Sequence, residues 1–99
     1  MSYVTTQPQM LSAAAGNLHG IGSSVSAATA AAAGPTTGVV PAAADEVSAL
    51  TAAQFGAHAQ TYQAISAQAA TIHDQFVATL KTSAGSYLAT EAANAAAAG

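Results

Sequence analysis

The stretch FGAHAQTYQAISAQAATIHDQF, residues 55–76, decides the fold. Phe55, Tyr62, Ala69 and Phe76 recur every seven residues, and His58, Ile65 and Ile72 form a companion row three residues further on. Apolar positions that alternate by three and four lie on one stripe of an α-helix and make a narrow seam for another helix. The helix is predicted to begin near Asp45, a good N-cap, with Glu46 in the first turn where the helix dipole favours negative charge. Leu80 extends the apolar set. Lys81 suits a last turn and Gly85 a stop, which bounds this helix at roughly 45–83.

Upstream, TTQPQML (residues 5–11) reads as a helix start. Thr6 and Gln9 have capping-box spacing, and Pro8 is tolerated in a first turn, where its missing N–H loses nothing. Leu11, Leu18, Ile21 and Val25, with alanines at 14, 28 and 32, keep a three-and-four rhythm. Gly34-Pro35 is expected to end this helix, giving bounds of roughly 7–33. Residues 34–44 form the turn, and a connection this short makes the two helices antiparallel neighbours. The fold class is therefore all-α: a two-helix hairpin over residues 1–84, followed by an Ala-rich tail, 85–99, whose composition also suits a short, fraying helix.

Composition agrees with helix and narrows the function. Thirty of the 99 residues are alanine, the best helix former. The acids are Asp45, Glu46, Asp74 and Glu91, against a single base, Lys81, for a net charge of −3. One lysine and no arginine cannot neutralise a run of phosphates, which argues against nucleic acid and against an anionic membrane surface. With no cysteine there is neither a disulfide framework nor a thiolate metal site. The opening MSYVTTQPQM lacks the basic and apolar regions of a Sec-type signal peptide, and no uninterrupted apolar run of about 20 residues suggests a membrane span.

Catalytic chemistry finds no footing. His19, His58 and His73 lack metal-ligand spacing, and neighbours such as His73 and Asp74 point in different directions on a helix. The glycines of HGIGSS, residues 19–24, follow no strand and precede no phosphate-loop lysine, so they read as helix-packing points. His58 and Tyr62, one turn apart, read as polar members of an interface. No enzyme, cofactor or metal is expected.

The hairpin looks unfinished. Two helices bury only the strip where they touch, the large seam residues are few, and neither metal nor disulfide supplements them. The outer faces carry Gln, Ser, Thr and Ala in place of Glu–Lys pairs. Further helices are needed, from a second copy or from a different chain, to complete a four-helix bundle.

The opening MSYVTTQP, the central GVVPAAADEVSALTAAQF and the closing YLATEAANAAAAG resemble, together, the PE family of mycobacterial proteins, over essentially the whole chain. That resemblance implies a heterodimer with a PPE-family protein around a four-helix bundle. It also implies export of the pair by a type VII (ESX-type) secretion system, with a cytosolic chaperone gripping the PPE subunit. Leu11, Leu18, Ile21, Val25, Phe55, His58, Tyr62, Ile65, Ile72, Phe76 and Leu80 would then form the partner interface. The family's N-terminal Pro-Glu pair is here Pro8-Gln9, in which Gln9 can still serve a capping box. Its C-terminal export motif, a tyrosine with an acid four residues on, is matched by Tyr87 and Glu91.

The location implied is outside the cell or on its surface, and the chain would be a stand-alone member or a piece of a longer one. Packing is the competing explanation of the motif, with Tyr87 folded back on the hairpin and Glu91 beside a helix N-terminus. The competing function is a self-assembling structural or membrane-surface helical protein.

Overall fold

The computed structural model describes residues 4–99, so the first three residues of MSYVTTQP lie outside it. Two α-helices, α1 (Pro8–Thr37) and α2 (Glu46–Ala98), form an antiparallel hairpin through residues 38–45. At about 1.5 Å per residue, α2 runs some 80 Å and α1 about 45 Å. The molecule measures 80 × 22 × 18 Å, so α2 sets its full length.

Three helix ends differ from the sequence expectation. Helix α1 passes through Gly34-Pro35 to Thr37. Pro35 forfeits only the N–H that would reach Ala31, and Gly34 lacks the Cβ that normally clashes with a following proline ring. The Thr36 and Thr37 hydroxyls donate to the carbonyls of Ala32 (2.6 Å) and Ala33 (2.7 Å). The Gly38 N–H then closes the end on Gly34, at 3.0 Å.

At the start of α1 the anticipated capping box is absent: Gln7 caps through its backbone alone, without a side-chain bond. Thr6 is engaged elsewhere, its hydroxyl donating to Glu91 Oε1 at 2.7 Å. Pro8 does occupy the first turn.

Helix α2 begins as expected, with the Asp45 carboxylate accepting the Ser48 N–H at 2.8 Å. It does not stop at Gly85 but continues to Ala98, so Lys81 lies well inside it. One interior glycine costs only about 0.5–1 kcal/mol, and the Ala-rich sequence beyond supports the helix.

Packing overturns the expected seam. On α2 the line of buried or half-buried positions runs through Ala52, Gly56, Ala59, Gln63, Ser66, Ala70, His73, Val77, Leu80 and Ala84, with Ser48 and Ser83 half-buried besides. The line alternates by three and four, like the Phe55–Phe76 row, but stands one residue after it. On α1 the matching line is Pro8, Leu11, Ala15, Leu18, Gly22, Thr29, Ala33 and Thr37. Small side chains on both lines let the helices approach closely. A Cβ at Gly56 would come within 3.1 Å of the Thr37 carbonyl oxygen, and one at Gly22 within 2.7 Å of the His73 ring. Cross-braces complete the hairpin: Gln63 Nε2 donates to the Thr29 carbonyl at 3.0 Å, and His73 Nε2 lies 2.7 Å from that of Leu18. A carbonyl only accepts, so His73 carries its hydrogen on Nε2.

Candidate interaction surface

One residue on a helix turns the side chain by about 100°, so the Phe55–Phe76 row lies immediately beside the inner line rather than on it. Phe55, Tyr62, Ile65, Ile72 and Phe76 are 56–66% exposed. His58 is exposed as well. The antiparallel helices are both right-handed, so the residue preceding an inner position falls on the same side of the hairpin in each. That rule puts Met10 and Ile21 of α1 beside the α2 row, and both are more than half exposed. Val25, also exposed, joins Ile21, Tyr62 and Ala69 in lining a groove of about 510 Å³ between the helices, whose walls also include Gln63, His73 and Asp74.

The opposite side has another character. Residues following the inner line include Ser12, Gly16, His19 and Ser23 on α1, and Ala57, Ala64, Asp74, Ala78 and Lys81 on α2. Bulk is missing there, and the hairpin's one lysine and its mid-helix acid are present. The molecule thus has a bulky apolar side and a small, polar one.

Among the expected interface residues, the structure therefore separates two groups. Leu11, Leu18 and Leu80 sit half-buried between the helices. Ile21, Val25, Phe55, His58, Tyr62, Ile65, Ile72 and Phe76 form the open apolar side. Of the N-terminal pair, Pro8 is buried and Gln9 exposed.

The row one residue before the inner line turns polar beyond Phe76, through Thr79, Ser83, Ser86 and Thr90. Tyr87 and Glu91 belong instead to the continuation of the inner line itself: 77, 80, 84, 87, 91. They occupy the face that α1 covers lower down, at the level where α1 begins. Tyr87 is half-exposed, and Glu91 accepts the Thr6 hydroxyl, which ties the acid to the segment before α1. Sequence reasoning missed Thr6 in this role and missed the inner line. A signal for the latter existed: small residues with the spacing of the large ones, offset by one.

Electrostatics are sparse. Ser48 holds the Asp45 carboxyl below the usual carboxylate range, by a side-chain hydrogen bond first and by its backbone N–H second. Among the described residues, no three His, Cys, Asp or Glu side chains are placed to share a metal ion. No helix there is long and apolar enough to cross a membrane.

The structure is thus a charge-poor helical hairpin with one open apolar side. The PE family model matches residues 4–94, and the chain belongs to the PE family. PE family protein PE13 of Mycobacterium tuberculosis is 68% identical over 98 residues, with 99% of each chain covered. The PE-PGRS family protein PE_PGRS33 of the same organism is 62% identical over 96 residues. That match takes in 97% of this chain and 20% of PE_PGRS33. PE-PGRS family protein PE_PGRS8 is 58% identical over 97% of this chain and 55% of its own length.

Proposed function

We propose that the chain is a non-enzymatic interaction subunit whose apolar side pairs with a PPE-family protein, completing a four-helix bundle. The pair is exported by a type VII (ESX) secretion system through the Tyr87–Glu91 signal, with the chaperone engaging the PPE subunit, and acts outside the cell or on its surface. The observation that carries the pairing is the uncovered row Phe55–Phe76, on a hairpin whose own packing uses a different set of residues. Large apolar patches left exposed in this way mark protein interfaces.

Residues 1–84 supply the pairing unit and residues 85–99 the signal. Tyr87 and Glu91, at i and i+4, leave α2 on one face, where a receptor reads ring and carboxylate together. They stand off the apolar row, so pairing and export are separable.

Co-expression with candidate PPE proteins tests the pairing. The expected result is a stable one-to-one complex, and a lone chain that melts weakly. A cooperative, stable monomer that binds no PPE protein refutes the reading, and concentration-dependent homodimers would favour self-assembly. For the signal, Tyr87→Ala or Glu91→Ala is expected to abolish export while the complex still forms. Normal secretion of both variants removes the signal, and loss of pairing would make the two residues structural.

A further inference from the structure

We propose that Thr6 is a positioning residue for Glu91, so that the chain's N-terminal segment is part of the element presenting Tyr87 and Glu91. The inference rests on the export reading above and adds to it a second, sequence-distant component.

The geometry begins with the inner line. Val77, Leu80 and Ala84 face α1, and Ala84 is 2% exposed. Tyr87 and Glu91 are the next two positions of that line, but α1 starts at Pro8 and offers them no helix. The His73–Leu18 and Thr6–Glu91 bonds set the register and place the buried Pro8 level with the turn from Ala84 to Leu88. Beyond Pro8 the chain leaves the helical path, and Thr6 meets Glu91 at 2.7 Å across a separation of 85 residues. A β-branched threonine is stiff about χ1, and a hydroxyl on a carboxylate makes a charge-assisted bond. Together these hold the acid in one orientation.

The start of α1 gives this arrangement a second footing. Its first turn contains no acid and no side-chain cap. The Glu91 carboxylate brings negative charge to the end of α1 where the helix dipole favours it. One side chain thereby joins both ends of the chain.

The test is a double-mutant cycle on the full chain, read by amide hydrogen exchange over residues 88–95 relative to residues 70–77. Thr6→Val keeps the shape and removes the hydroxyl, while Glu91→Met keeps the length and helix propensity but replaces the carboxylate with a weakly accepting thioether. Each is expected to speed exchange at residues 88–95 roughly threefold, with the double variant no faster than either and Thr6→Ser near the parent. Export is measured on the same variants. Thr6→Val is expected to export several-fold less than the parent and Thr6→Ser normally.

Independent effects in the cycle, or no effect of Thr6→Val, overturn the proposal even if export needs Glu91. Coupling in the cycle with normal export of Thr6→Val overturns the presenting role. Normal export of both Tyr87→Ala and Glu91→Ala removes the signal reading itself, whatever the cycle shows.

Discussion

Gly22 exists for His73. A Cβ at position 22 would stand 2.7 Å from both Cδ2 and Nε2 of the ring, which is itself fixed on the Leu18 carbonyl. Gly22→Ala should therefore cost about 1–2 kcal/mol despite the better helix former, because the ring must leave its acceptor. Gly16→Ala is the control: nothing lies within 4 Å of that position, and a gain of roughly 0.5–1 kcal/mol is expected. Denaturant melts of the two variants should move in opposite directions.

Asp45 gives a pH dependence with a definite sign. Its folded pKa is depressed below the ordinary 3.8, so its stabilising contribution is complete above that value and is lost as pH falls through the folded pKa. Asn also caps but does not titrate there. Comparing helicity of the parent and Asp45→Asn from pH 6 to pH 2.5 isolates the effect. The parent should lose ground to the variant only below about pH 4.

At the scale of the element, the sequence made both helices legible through periodicity, since three-and-four spacing has one structural meaning. It misplaced which stripe faces inward. Bulk drew attention to Phe55, Tyr62 and Phe76, but close helix approach is built from Ala52, Gly56, Ala59 and Ala84, which contribute little hydrophobicity and so little signal. Helix ends were misread for a related reason. Gly85 and Gly34-Pro35 are local stop signals, outweighed by a long run of good helix formers in one case and softened by the missing Cβ of Gly34 in the other. The Asp45 cap was readable because it depends only on neighbours. The Thr6–Glu91 bond joins residues 85 apart, and no local pattern announces it. If Gly85 is an interior helical position, Gly85→Ala should slow amide exchange across residues 84–92 by about threefold, at a site with open space for a methyl group. Faster exchange there would mean that the glycine is needed as glycine.

For the whole molecule, the hairpin packs on one set of side chains and leaves another exposed, so under the proposed pairing, folding and partner binding are experimentally separable. Ile65→Asp or Phe76→Asp places a charge on the open apolar side and should shift the melt of the isolated hairpin by no more than about 0.5 kcal/mol. The same substitutions should weaken capture of the partner at least tenfold. Val77→Asp, adjacent to Phe76 but 4% exposed, buries an unpaired charge and should unfold the hairpin. Circular dichroism and pull-down on the three variants check both halves of this expectation.

The offset of one residue between the two rows of α2 also defines how the chain tolerates length changes. Inserting a single residue near Gln60 rotates everything downstream by about 100° relative to everything upstream. Phenylalanine and isoleucine would then enter a gap shaped for alanine and glycine, and the small residues would be turned outward. Point changes on the apolar side can accumulate while the hairpin persists, whereas a one-codon insertion in α2 carries the apolar row inward and a one-codon deletion carries the polar side, with Asp74 and Lys81, inward. Descent within such a protein can therefore retune its choice of partner by substitution, but its reading frame of helical turns is locked.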